Sequence, residues 1–511
     1  MHIKTVLLRR GFGAAHALAK AHGVDVLLLD SAESPGGLST GWRTLAGRPL
    51  EPGVKGFWSQ YANIHALADE LGIQPFTGWA QSRFLSPAGL EVTAPVLRDR
   101  PRLPTPLGSL VHSSPFFQRL PLADRLSAWP LVTALLEHAL DADAYAAYDA
   151  ISAQHLFLGA GISPRLYWEF LEPMLLVTLF APGAELSAAA ALAMLYYFVL
   201  ARQDAFDVRW CRGSVAEQVF KPWRARLEAA GVRLLGGRRA LCVLPGQAGR
   251  RFRVEVSAKG KGAEECHEAD AIVLAVGVKA MQQIVAASPQ LAAAPDLAHV
   301  RGLGTDDVMA VRLWLDGVVR PATASNVVAG FDAGVGATVF DLSSLQDEFR
   351  ERRGSSVVEA DFYHAGSLLA LTDDQVVEHV QEKYLGAAAP AYRQSRVLDA
   401  SVLRFPGAVT AFAPGSHGCM PRVRTGVPGV FCAADWVAQG PGDAAGGAKG
   451  LSQEKALASG LEAGNLAAAS VGRRPGAHVF PAAPDEPHVA AARSALRLGR
   501  QLGVPLQGLP R

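Results

Sequence analysis

The chain has 511 residues, half of them hydrophobic and 19% charged, with a formal net charge of +2. That balance excludes a disordered or fibrous chain and gives no ground for a nucleic-acid partner, while the length exceeds what one core usually supports, so two intertwined domains are expected. The five cysteines, Cys211, Cys242, Cys266, Cys419 and Cys432, are odd in number and lack metal-ligand spacing, which reads as free thiols in a reducing compartment.

Residues 5–8 form a short apolar run suited to a buried parallel strand, and Gly11-Phe12-Gly13 follows as a tight turn. Residues 14–22 are strong helix formers, stopped by Gly23. Residues 24–29 are the second strand, and Asp30 stands at its end, about 20 residues after the glycines, where a carboxylate can accept hydrogen bonds from ribose hydroxyls. This is the order of a dinucleotide-binding unit, whose glycines let backbone N–H groups at a helix N-terminus meet a pyrophosphate. Two positions depart from the usual three-glycine fingerprint. Ala14 at the third is tolerated, because that site needs only close packing of helix on strand. Arg9 at the first is expected to strain the turn, its guanidinium recovering part of the cost by pairing with a phosphate. Taken alone, the turn also allows a βαβ unit that binds nothing. Asp30 and the Ser34-Pro35-Gly36-Gly37-Leu38-Ser39 loop directly after it argue for the cofactor.

Residues 42–52 read as a hairpin or loop, and residues 62–71 as a helix with Ile64, Leu67, Ala68 and Leu71 on one stripe. Residues 75–121, rich in proline and glycine, suit strands and turns. Helices are expected over 131–140 and from 152–158, the latter capped by Ser152 or Asp149. The most apolar stretch is 171–201, broken by Pro182-Gly183. Its second half, 186–201, is 16 uncharged residues long, shorter than the ~20 needed to span a bilayer, which favours a pair of buried core helices; a part in lining a tunnel for a long hydrocarbon or dipping into a membrane surface stays open beside it. Residues 214–230 read as an amphipathic helix, and 232–235, 238–243, 252–256 and 271–277 as strands, the last three forming a small meander. Residues 309–315 and 356–363 are strand-like. His417 and Cys419 have no second ligand pair near them, so metal is not expected. Residues 430–436 form an apolar strand delivering Asp435. Gly446, Gly447 and Gly450 permit close backbone approach ahead of a helix from about Ser452. Beyond Gly472 the arginine-rich chain is expected to be a disordered tail. No signal or transit peptide fits ahead of the first strand, so either the source has no import step or the given N-terminus is incomplete, and the abrupt Leu8-Arg9-Arg10 junction favours the second expectation.

In ordered succession, the Pro-Gly-Gly loop, Gly53-Val54-Lys55-Gly56-Phe57-Trp58 through Leu71-Gly72-Ile73, Leu120 to Leu126, Leu171-Glu172-Pro173-Met174-Leu175-Leu176, Val208 to Ser214, Val430 to Trp436 and Gly450 to Ala456 resemble the flavin-containing amine oxidoreductase superfamily, and within it the phytoene and zeta-carotene desaturase branch. The likeness spans roughly residues 4–470. It implies an α/β fold in which a Rossmann-type FAD-binding domain (1–75, 206–300 and 416–470) is interleaved with an α+β substrate domain (76–205, holding the apolar hairpin, and 301–415, holding a sheet), followed by a tail, 471–511. The cofactor it implies is FAD, bound non-covalently by Gly11, Phe12, Gly13, Ala14, Asp30, Ser31, Gly36, Gly37, Leu38, Lys55, Gly56, Phe57, Ala240, Asp435, Leu451 and Ser452. In that resemblance Lys55 to Phe57 pass beside the flavin ring, Ala240 lies in the strand holding the adenine, Asp435 bonds the ribityl or phosphate part, and the helix from Ser452 points its dipole at the flavin N1/C2 edge.

The activity implied is FAD-dependent removal of hydrogen from a long apolar polyene or isoprenoid, as in carotenoid biosynthesis, with a quinone or O₂ as electron acceptor, contact with a membrane surface, and a chloroplast or membrane-periphery location. An amine oxidase of the same fold and a degenerate, non-catalytic polyene-binding protein stay open beside it. No Ser/His/Asp set or paired carboxylate stands out, and no catalytic base is assigned.

Overall fold

The computed structural model describes residues 3–9, 11–33, 36–247, 251–258, 264–350, 354–438, 440, 447 and 449–510. Two sheets dominate. The first is a five-stranded parallel sheet in the order Val430–Cys432, Ala271–Ala275, Ile3–Arg9, Val24–Leu29, Arg233–Leu235. Val6, Leu7, Leu27, Leu28 and all five residues of Ala271–Ala275 are buried, as expected of a parallel sheet covered on both faces. The helix Phe12–Lys20 follows the first strand and is crossed closely by Gln453–Ser470. Side chains are small at that crossing. A Cβ on Gly464 would meet the Ala14 carbonyl at 2.6 Å and the Ala17 methyl at 2.7 Å.

Against this sheet stands an antiparallel meander, Arg238–Pro245, Phe252–Ala258 and Glu264–Ala269. Its third strand is not the expected 271–277. That run joins the parallel sheet beside the first strand, because five consecutive apolar residues suit burial on both faces, whereas Glu264–Ala269 holds three glutamates and a histidine in six residues.

The second sheet has seven strands in the order Val397–Ala411, Gly304–Leu315, Ser356–Tyr363, Gly336–Asp341, Ser325–Ala329, Ser82–Ser86, Gly89–Ala94. It is antiparallel except where Ser325–Ala329 runs parallel to Ser82–Ser86, which joins the early stretch to the late one. The helix Glu172–Leu179 packs on Gly336–Asp341 and Ser325–Ala329, and Ala188–Leu195 packs against that helix. The second is buried at all eight positions, starts at Ser187, whose hydroxyl accepts the Ala190 N–H, and continues through 196–200 in wider turns. No helix among the described residues is long and apolar enough to cross a membrane.

The N-cap of Ala153–Gly159 is Ser152 and not Asp149. Asp149 instead accepts from Ser187 Oγ (2.6 Å) and the His417 N–H (3.1 Å), tying the apolar helices to the loop before the last strand. The tail also differs from expectation. Residues past Gly472 run along the body and end in the helix Pro487–Gln501. Arg493 donates to Tyr196 Oη, Asp485 and the Ala139 carbonyl, and Glu137 accepts the Gln507 and Gly508 N–H groups, so specific polar contacts order a segment whose composition reads as disordered.

Candidate functional site

Between the two sheets lies a cavity of about 340 Å³, within the usual range for small-molecule sites. Its long wall is one face of the seven-stranded sheet. Strand side chains alternate, so one row crosses five strands as Ala310, Asp361, Thr338, Val327 and Phe84. All five line the cavity. The next row runs Arg312, Glu359, Phe340, Ser325 and Ser82. Val177, Phe180, Met194 and Phe198, from the apolar helices, form the roof. Phe180 (φ 60°) and His364 (φ 53°) are the described non-glycine residues with positive φ, and Phe180 stacks on Tyr363 at 4.2 Å. Such conformations cost of order 1–3 kcal/mol each and persist where packing overrides them.

The opposite wall is the cofactor end. The structure brings Phe12, Gly13, Gly36, Leu38, Lys55, Gly56, Phe57, Asp435, Leu451 and Ser452 to this cavity, although they are spread over more than four hundred positions. The helix Phe12–Lys20 begins there at Gly11 with no side-chain cap and no acid in its first turn, which leaves an anion seat at its N-terminus. Gly36 (φ 145°) and Gly37 (φ 61°) need glycine on conformational grounds. A side chain on Gly13 would meet the Leu457 carbonyl at 2.9 Å and Gly460 Cα at 3.2 Å, so its bareness serves the helix crossing as well as the cavity. Gly11 is likewise closed in by Leu7. Ser452 caps Gln453–Ser470 by accepting the Lys455 N–H at 3.1 Å. Asp435 stands three positions beyond its strand and accepts from Thr410 at 3.5 Å. Lys55 is no surface lysine, since its ammonium donates to the carbonyls of Pro52 (2.5 Å) and Gly53 (2.8 Å). An uncapped helix N-terminus, a bare glycine loop and a second helix terminus converging on one cavity fit a flavin dinucleotide.

Gly11, Ala14, Ser31, Gly37 and Ala240 are not in the cavity wall. Asp30 is fully buried, and its carboxylate accepts the N–H of Ala32 (2.9 Å) and of Gly36 (3.4 Å), which ties the glycine loop to the strand end. Ala240 lies two residues past Arg238, whose N–H donates to the Asp30 carbonyl. The backbone of Arg9 pairs with Ala275 in the parallel sheet, but its side chain, Arg10, Ser34, Pro35 and Gly446 lie outside the described residues.

A buried charge cluster continues the sheet face, and here a paired carboxylate does occur. Glu359 ion-pairs with Arg312, which also lies 3.7 Å from Glu51 and donates to the Pro49 carbonyl at 2.8 Å. Asp361 Oδ2 accepts the Val54 N–H at 2.7 Å, while Asp361 Oδ1 and Glu359 Oε1 are buried without a donor. The two carboxyls stand two positions apart on one face of the strand, so each feels the other's charge. Burial, then the charge of Glu359, pushes Asp361 well above the usual carboxylate range, and burial raises Glu51. Burial opposes the Arg312 charge, but Glu359 and Glu51 outweigh it and hold the guanidinium above its ordinary value. Like-charged carboxyls this close do not both ionise readily. The sequence signal was a lone arginine in the apolar run 308–315 and acids at alternate positions of 356–363. It reads as a solvated strand face until the partners from 51–54 are in place.

The model for flavin containing amine oxidoreductase matches residues 11–462. A protein of Synechococcus elongatus carrying the name "Probable zeta-carotene desaturase" is 25% identical over 479 residues, covering 90% of this chain and 98% of its own. Cyclohexylamine oxidase from Brevibacterium oxydans IH-35A superposes with a TM-score of 0.63 at 15% identity, covering 92% of this chain and 99% of its own. Putrescine oxidase bound to putrescine gives 0.62 at 15%, covering 91% and 98%. At that identity the structures show a shared fold.

Proposed function

Because the chain belongs to the flavin-containing amine oxidoreductase family and is an FAD-dependent oxidoreductase, we propose that its substrate is a long apolar polyene or isoprenoid from which it removes hydrogen. The observation that carries this is the cavity lining beyond the cofactor end, where Phe84, Val177, Phe180, Met194, Phe198 and Phe405 supply an apolar channel wall and few polar groups to hold a hydrophilic substrate. FAD, when bound, supplies a hydride acceptor. The protein's own part is to dry the substrate and align it along the sheet face.

The outer surface supports delivery from a membrane. Leu107, Leu110, Val111, Leu122, Leu126 (64% exposed), Trp129 (67% exposed) and Trp168 project from three segments tied together by Arg125–Ser114, Ser127–Ser163 and Arg165–Arg119 hydrogen bonds. Clustered exposed apolar side chains among arginines suit an anionic lipid surface. From beneath them an aromatic chain, Phe117 to Phe170 (5.2 Å) to Phe84 (5.8 Å), reaches the cavity wall. We place the enzyme at a membrane periphery, the chloroplast of the family resemblance being one such setting, with a quinone or O₂ as final acceptor.

A second reading, amine oxidation, draws on Asp361 beside Tyr363 and Phe180. Those rings are stacked on each other and not spaced to cage a cation. The test is anaerobic mixing of the FAD-loaded protein with zeta-carotene in anionic liposomes, with putrescine as the comparison. Bleaching of the flavin by the polyene, with a red-shifted polyene product, is expected. Bleaching by putrescine alone, with peroxide on readmitting air, would overturn the proposal.

A further inference from the structure

We propose that Asp361 is the base of the reaction, taking the proton from the substrate carbon next to the one that gives up a hydride; this deepens the polyene reading and rests on it. Asp361 sits in the middle of the row Ala310–Asp361–Thr338–Val327–Phe84 that walls the cavity. Its neighbours on that wall are apolar or are hydroxyls, Thr338, Ser325, Ser82 and Tyr363, which are too weakly basic to accept a proton from carbon. Lys55 is bonded to two carbonyls, and Asp435 stands at the cofactor end with Thr410.

The geometry of Asp361 suits the task. The Val54 N–H fixes Oδ2 at 2.7 Å, which locks the carboxyl plane, and leaves Oδ1 buried with no donor. An orphaned buried acceptor is costly, and a site of proton exchange is one reason to keep it. Val54 belongs to the 53–57 segment that lines the cofactor end, so the acid stands where the two walls meet. Beside it on the same strand face stands Glu359, whose charge is held by Arg312.

The balance is simple. On one carbon a C–H bond breaks and its electron pair leaves as hydride to the acceptor that oxidised FAD would supply when bound. On the adjacent carbon the C–H electrons become the new C=C π bond, and the proton goes to the Asp361 carboxylate, giving the neutral acid. The proton then leaves through the cavity that Asp361 lines as the product departs, restoring the carboxylate. The titrating unit is the Asp361–Glu359 pair. The groups facing it are Glu51 and Lys55 from the loop, Arg312 from Gly304–Leu315 and Tyr363 on its own strand.

The experiment compares wild type with Asp361→Asn, which keeps an oxygen for the Val54 N–H. In stopped-flow mixing with zeta-carotene liposomes, flavin reduction by wild type should rise with pH as the pair loses its proton. In Asp361→Asn it should be slower by about 100-fold or more and flat with pH, in line with the usual worth of a general base. FAD content, reduction by dithionite and thermal midpoint should be unchanged, and an infrared C=O band of a neutral buried carboxyl should disappear. Reduction of Asp361→Asn at the wild-type rate overturns the assignment and leaves the polyene reading standing. Wild type inert to polyenes overturns both, and is seen in the unmodified protein. If Asp361→Asn does not hold FAD, the wild-type profile decides, a pH-independent rate overturning the base and a rising one supporting it.

Discussion

At Gly13 the demands of packing and of cofactor binding meet on one atom. A methyl there would press on the Leu457 carbonyl and Gly460, so Gly13→Ala should cost about 1–3 kcal/mol of stability as an overpacked helix crossing, read as a lower thermal midpoint of the FAD-free protein. Asp435 predicts the opposite signature. It lines the cavity with one long hydrogen bond, from Thr410, among the described residues, so Asp435→Ala should leave the FAD-free protein as stable as wild type. It should weaken FAD by roughly 10- to 100-fold, the worth of a charge-assisted hydrogen bond of about 1.5–3 kcal/mol, in a flavin fluorescence titration. Both positions were legible in the sequence because a glycine turn and an acid at a strand end have local reasons to exist. Asp361 was not. Its meaning comes from Val54 and Glu359, one of them 307 positions away, and no local pattern separates a buried acid on a cavity face from a solvated one.

Elements follow the same division. The helix Ala62–Leu71 and the strand Ser356–Tyr363 are where hydrophobic period places them, since periodicity is set within the element. The meander's third strand was misassigned because two adjacent strands, Glu264–Ala269 and Ala271–Ala275, are separated by a single residue and differ mainly in which sheet receives them. The tail helix was illegible for another reason: its order is supplied from outside. Arg493 is largely buried, donating to Tyr196 Oη at 2.9 Å and to the Ala139 carbonyl at 3.0 Å, and it pairs with Asp485. Arg493→Ala removes charge-assisted hydrogen bonds worth about 1.5–3 kcal/mol and leaves Asp485 facing Tyr196 alone. Limited proteolysis should then cut between 473 and 486 faster than in wild type while the FAD-loaded body persists; an unchanged rate would mean that the apolar face of the helix suffices to hold it.

Across the whole molecule, buried titratable groups set the stability profile. His138 is buried against Tyr145 and Tyr196, with Nδ1 donating to the Leu135 carbonyl at 2.9 Å, and burial lowers it to about 3. Unfolded, it binds a proton near 6.5, so folding loses stability as pH falls from 6.5 toward 3, by of order 4–5 kcal/mol at the limit. Glu454 has the opposite sign. Burial raises it to about 7, although it accepts the Asn63 N–H (2.8 Å), the Asn63 amide (2.7 Å) and the Ile64 N–H (3.0 Å). The folded state holds that proton more tightly than the unfolded chain does, so stability is lost as pH rises from 4.5 through 7, by of order 3 kcal/mol. Between 4.5 and 6.5 the two contributions oppose and nearly cancel; below that window the histidine acts alone, and above it the carboxyl. Subtracting the wild-type profile isolates each group. The thermal midpoint of Glu454→Gln relative to wild type should climb from pH 4.5 to 7 and then level, whereas that of His138→Asn should climb as pH falls below 6.5. Because Glu454 holds the start of Ala62–Leu71 from the first turn of the helix that Ser452 caps, the Glu454→Gln difference should appear in the FAD-loaded protein too. A difference profile flat with pH for either variant would show that its group titrates alike in the folded and unfolded chain.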